Sequence, residues 1–116
     1  LANVRRGEAT IELNGHEYTI RLDFNALCTL EQNLGMPVTK LNDNMGLTAI
    51  REIIYIGLRH EFKPNNFNRT VAGEMIDPTK IDEYVEAITK ALNGALGIKE
   101  DDDTDLGEAG TDLESS

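Results

Sequence analysis

A chain of 116 residues with 11 basic and 21 acidic residues carries a net charge of −10, with one cysteine and no tryptophan. That length allows one domain with a modest core, and the acid excess repels a phosphate backbone, which argues against direct nucleic-acid binding. No window reaches the roughly 18 apolar residues of a membrane span, no charged-then-apolar leader precedes the first patterned segment, and Cys28 has no disulfide partner, so a soluble protein of a reducing cytosol is expected.

The first patterned segment is a hairpin. Asn14-Gly15 between two alternating runs signals a type I′ turn, whose two central residues both need positive φ. A two-residue loop places Leu13 opposite His16, Ile11 opposite Tyr18 and Ala9 opposite Ile20, one face that is apolar apart from His16. The other face pairs Glu8 with Arg21 and Thr10 with Thr19, but also Glu12 with Glu17, whose repulsion marks it as wet. A two-stranded ribbon is marginal alone, so Ile11, Tyr18, Ile20 and Leu22 are expected to lie on helices.

Asp23 is placed to cap a helix over about 24–34, in which Phe24, Leu27, Leu30 and Leu34, with Cys28, trace one face before Gly35. Pro37 opens a short helical turn carrying Val38 and Leu41, ended by Asn42-Asp43-Asn44. Ile50, Ile53, Ile54, Gly57 and Leu58 then fall at i, i+3, i+4, i+7 and i+8, which predicts a central buried helix, roughly Leu47 to His60. Gly57 in a helix interior costs about 1 kcal/mol relative to alanine and is read as a point of close packing. Phe62 to Arg69 reads as a loop. Thr70 is expected to cap a short helix through Ile76, and Asp77-Pro78 to start a last helix with cap and proline in the favoured order. Its stripe is Ile81, Tyr84, Val85, Ile88, Leu92, Ala95 and Leu96, up to Gly97.

Beyond Gly97 the pattern stops. Residues 99–116 hold eight acids against one lysine, a net −7, while residues 1–98 carry only −3. So little apolar surface cannot offset ordering entropy, and this stretch is expected to be a disordered acidic tail. The reading is therefore α+β: residues 1–98 form a single domain, an N-terminal hairpin packed on a small bundle of about four helices, followed by the tail.

Chemistry is sparse. His16 and His60 have no sequence relation to each other or to Cys28, and there is no phosphate loop, Gly-x-Ser-x-Gly turn or Cys-x-x-Cys. Asp101, Asp103 and Asp105 fall at positions 1, 3 and 5 of a calcium-loop pattern, but Leu106 stands where the turn needs glycine and Asp112 where a bidentate glutamate belongs. Asn68-Arg69-Thr70 matches a glycosylation acceptor but reads as a loop running into a helix cap. No catalytic, cofactor-binding or metal-binding residue is assigned. Tyr55 and Ile56, off the central stripe, and Phe62 and Phe67, in or beside a loop, are either cover for the hairpin and short helices or a partner-binding patch.

Arg5-Arg6-Gly7-Glu8-Ala9, Ile11-Glu12-Leu13-Asn14-Gly15, Tyr18-Thr19-Ile20-Arg21-Leu22 and Phe24-x-Ala26-Leu27-x-x-Leu30-Glu31-x-x-Leu34-Gly35 resemble a family of small tail proteins of tailed phages and gene transfer agents. The likeness continues through the helix around Leu58, Val71-Ala72-Gly73-Glu74-Met75-Ile76, and Ala91-Leu92-x-x-Ala95-Leu96-Gly97. The resemblance implies a tail assembly chaperone, encoded beside the tape-measure protein, binding that long helical polypeptide during assembly and absent from the finished tail. It implies residence in the cytoplasm of the bacterial host and no catalytic residues. An alternative from another class is a structural tail-tube or joining protein retained in the particle, and a third is an acidic mimic of DNA. Neither strand contains the proline that would block pairing, so the hairpin edge permits a homo-oligomer.

Overall fold

The computed structural model describes residue 3 and residues 6–98. The acidic stretch 99–116, with its partial calcium-loop pattern, lies outside the described residues. An antiparallel hairpin, β1 (Glu8–Leu13) and β2 (His16–Arg21), leads into four helices, α1 (Phe24–Leu34), α2 (Leu47–Leu58), α3 (Arg69–Met75) and α4 (Ile81–Leu96). The fold is thus the α+β arrangement of a hairpin on four helices.

The turn chemistry sets the register. Asn14 and Gly15 have φ of 55° and 79°, and the pairing runs from Glu8 opposite Arg21 to Leu13 opposite His16. Ala9, Ile11, Leu13 and Ile20 are buried, Tyr18 is half-buried, and Glu12 and Glu17 face solvent as their repulsion requires. Glu8 and Arg21 form an ion pair at 3.2 Å on the wet face. Packing of α4 along β1 and of α2 against β2 gives the ribbon its apolar cover.

The sheet's two edges differ. In an antiparallel ladder, alternate residues turn their backbone N–H and C=O outward, and Thr19 is one of them. The N–H of Thr19 donates to Glu61 Oε2 at 2.9 Å, and Nε2 of His60 donates to its carbonyl at 2.7 Å. Side chains from the 3-10 turn Arg59–Glu61, which continues α2, therefore close β2 at its middle.

Helix boundaries follow local chemistry. The carboxylate of Asp23 accepts the Ala26 N–H at 2.8 Å, and Gly35 ends α1 in the left-handed region. The inward face of α1 departs from the expected stripe: Ala26, Leu27 and Leu30 are buried, Phe24 is 77% exposed and Cys28 is exposed. At about 100° per residue, Ala26, Leu27, Leu30 and Leu34 share one arc, while Phe24 and Cys28 fall beyond it. Val38–Asp43 forms a 3-10 helix that buries Val38 and Leu41. The α-helical part of α2 ends at Leu58, two residues before the expected His60. Asn68, not Thr70, caps α3, because its Oδ1 accepts the Val71 N–H at 2.9 Å. Asp77-Pro78 opens a 3-10 turn, Pro78–Lys80, that leads into α4. The hydroxyl of buried Tyr84 accepts the Asp77 N–H at 3.0 Å and pins that turn to α4.

Among the described residues no helix is long and apolar enough to cross a membrane.

Candidate functional site

The central helix α2 is buried nearly all round, since α1, α3, α4 and β2 each pack on it. This overturns the surface reading of Ile56, which is 3% exposed although it lies off the periodic stripe. Phe67 is likewise core, at 6%, because the loop after α2 folds back over the helix. Ile56 is thus enclosed by the core, while the buried ring of Phe67 still forms part of a cleft wall. Tyr55 and Phe62 are half-buried.

The four residues nevertheless do not scatter. Phe62 stacks on Phe67 with centroids 4.3 Å apart and planes 12° from parallel. Tyr18 of β2 leans on Phe62 at 5.5 Å, and Tyr55 meets Phe67 at 5.7 Å. Rings at these separations attract beyond their burial alone, so the aromatic row ties β2, the loop and α2 together. The guanidinium groups of Arg69 and Arg59 stand 5.3 and 6.0 Å from the Tyr55 ring centroid. Beside the row, Tyr55, Arg59, His60, Pro64 and Phe67 line a cleft of about 440 Å³.

Between α2 and α3 the contact is polar. Glu52, 3% exposed, receives Arg69 Nε and Nη2 on its two carboxylate oxygens, and Asn33 Nδ2 donates to it at 2.6 Å. The Arg69 guanidinium, with a smaller contribution from Asn33, holds the Glu52 carboxyl below its ordinary value, against the upward push of burial. One carboxylate on α2 thus anchors both α1 and the first residue of α3. The amphipathic count misses it, since Glu52 lies off the stripe and reads as a solvated charge.

A second opening lies between α2 and α3. A groove of about 470 Å³ runs between the start of α2, α3 and the turn into α4, walled by Leu47, Ile50, Ile76, Pro78 and Ile81, with Arg51 and Glu74 also in its lining. Such a volume is within the range of roughly 300–1,000 Å³ usual for ligand clefts. Leu47, the first residue of α2, is 71% exposed, and Ile76 and Ile81 are half-buried. Gly73 lies in the lining, where a Cβ would stand 3.2 Å from Cδ of Arg51. Sequence reasoning passed over this site. Its only signal was Leu47 at a helix's first position, which continues the apolar stripe three residues before Ile50 and so reads as core although it is exposed.

Among the described residues no group of three or more histidine, cysteine or acidic side chains is placed to hold a metal ion. The groove's lining is mainly apolar, with one cation, Arg51, and one anion, Glu74. Comparison with protein-family models, with curated proteins and with solved structures finds no match.

Proposed function

We propose that the protein is a non-enzymatic tail assembly chaperone of a tailed phage, prophage or gene transfer agent, and that it holds helical segments of the tape-measure protein during tail morphogenesis. The observation that carries the reading is the open apolar groove beside Leu47. An amphipathic helix laying i, i+3, i+4 and i+7 anchors into such a trough is a recurring mode of recognition. Arg51 and Glu74 supply one charge of each sign to fix its direction. The resemblance along the body of the chain names the client, and the acid excess keeps a complex with a long apolar polypeptide dispersed.

A tail-tube or joining subunit is the poorer fit. Such subunits extend sheets from copy to copy, whereas this hairpin is two-stranded and closed at the middle of β2.

Co-expression with a tape-measure fragment tests the proposal. Soluble complex is expected where the fragment alone precipitates, and Leu47→Asp or Ile76→Asp should abolish the rescue while the variant stays folded. Precipitation of the fragment in the presence of the native chain would sink the chaperone reading. Mass spectrometry of purified particles separates the alternative, since a chaperone should be missing from them.

A further inference from the structure

The cleft lined by Tyr55, Arg59, His60, Pro64 and Phe67 has a chemical character opposite to that of the chain as a whole. Residues 52–69 hold three bases, Arg59, Lys63 and Arg69, against two acids, Glu52 and Glu61, in a protein of net charge −10. Both acids are engaged: Glu52 by Arg69 and Asn33, Glu61 by the Thr19 amide. Among the described residues, Arg59 and Lys63 form no ion pair. The cleft thus combines an aromatic wall, Tyr55 and Phe67, with cations at its side, and that combination fits a ligand bearing both carboxylates and apolar side chains.

We propose that this cleft is a binding site for an acidic peptide segment, and that its occupant is the chain's own C-terminal stretch, residues 99–116, folding back in cis. The stretch carries eight acids, and Leu106 directly follows the run from Glu100 to Asp105, so one short peptide offers both carboxylates and an apolar anchor. Its 18 residues extend to roughly 60 Å at about 3.3–3.6 Å per residue. The 16 residues of α4, which the stretch follows, span only about 24 Å. Reach is therefore not limiting. Attachment to the domain gives the segment an effective concentration of order millimolar, so a site of modest affinity is occupied ahead of free acidic peptides. The inference stands apart from the groove, and its failure would leave the chaperone reading as it is.

Zero-length carbodiimide cross-linking of the full chain, followed by peptide mass spectrometry, tests it. Lys63 borders the cleft at Pro64, while exposed Lys40 and Lys90 are internal controls, Lys90 being nearer in sequence to the acids. Docking predicts that links from residues 100–105 to Lys63 outnumber those to Lys90 several-fold. That excess should vanish when ionic strength rises from about 0.02 to about 0.5 M, as the Debye length shrinks from about 20 to about 4 Å. Arg59→Glu should remove it at low salt. A second readout avoids any effect on the domain's own packing: the full chain with Asp101, Asp102, Asp103 and Asp105 changed to Asn should show shifted amide resonances for Tyr55, Arg59 and Phe67, with those around Lys90 unmoved. Links that favour Lys90, or unshifted resonances at the cleft, would overturn the proposal. Mixing ¹⁴N and ¹⁵N protein and finding mixed-isotope Lys63 links would overturn the assignment in cis by placing the segment on a second copy.

Discussion

Two sides of α2 are built on different physics. Toward β2 the seam is apolar and tight: Gly57 lets the strand approach so closely that a Cβ there would lie 2.6 Å from Cγ2 of Ile20 and 3.5 Å from Cδ2 of Leu22. Toward α3 the seam is held by the Glu52–Arg69–Asn33 cluster and opens into the groove, and the corresponding glycine, Gly73, meets only the flexible stem of Arg51. A dry seam tolerates no added volume, since close-packed interiors have no room to relax, whereas a polar anchor leaves the surface beside it free to be hollow. Close packing thus marks the face that buries the hairpin, and the candidate binding surface lies on the other.

The largest expected break of this contrast is on the polar side. Glu52→Ala removes the anchor shared by α1 and α3 and should cost about 2–3 kcal/mol, the range for hydrogen bonds to a charged group in a buried setting, read from urea unfolding. An unchanged urea midpoint would mean that the cluster carries no net weight.

Next comes the pair of glycines, where the two seams predict opposite signs. Gly57→Ala gains helix propensity but drives a methyl into Ile20, for a net loss of about 1–2 kcal/mol. In that background Ile20→Ala should cost less than in the native chain, a coupling a double-mutant cycle would detect. Gly73→Ala meets an atom that can swing away and should stabilise by about 0.5 kcal/mol, the propensity gain less the small displacement of Arg51.

Acidification sharpens the comparison more gently. The Glu52 carboxyl is held below its ordinary value of 4.5 in the folded protein, chiefly by Arg69. Glu8, held down chiefly by the Asn3 amide, and Asp77, held down by Thr79, shift the same way. A depressed folded value contributes stability that is present above the unfolded value and lost as pH falls through the folded one. Stability should therefore be level near neutrality and decline below about pH 4.5. Arg69→Ala should flatten the part of that decline due to Glu52, because burial then pushes the carboxyl up. A decline of unchanged steepness in Arg69→Ala would show that the cluster does not set the acid limb.

The smallest effect on stability belongs to the groove. Leu47→Ser, at a 71% exposed position, should change unfolding by no more than about 0.5 kcal/mol while weakening any helical client held there. A large loss of stability would mean that Leu47 is packed in solution and that the groove is closed.

The sequence determined whatever depends on neighbours along the chain. Asn14-Gly15 dictated the turn and, through a period of two, every cross-strand pair. Asp23 and Gly35 bounded α1, and Gly57 marked a close approach before its partner, Ile20, was visible. The tertiary structure decided which faces were covered. Periodicity assigns one stripe to a helix, but α2 is packed from several directions, so Ile56 and Glu52 are buried off the stripe. Conversely, Phe24 and Leu47, apolar residues at the first positions of their helices, are left exposed. Burial of a given side chain depends on what arrives from distant parts of the chain, and the groove and the cleft exist only where those arrivals leave a gap.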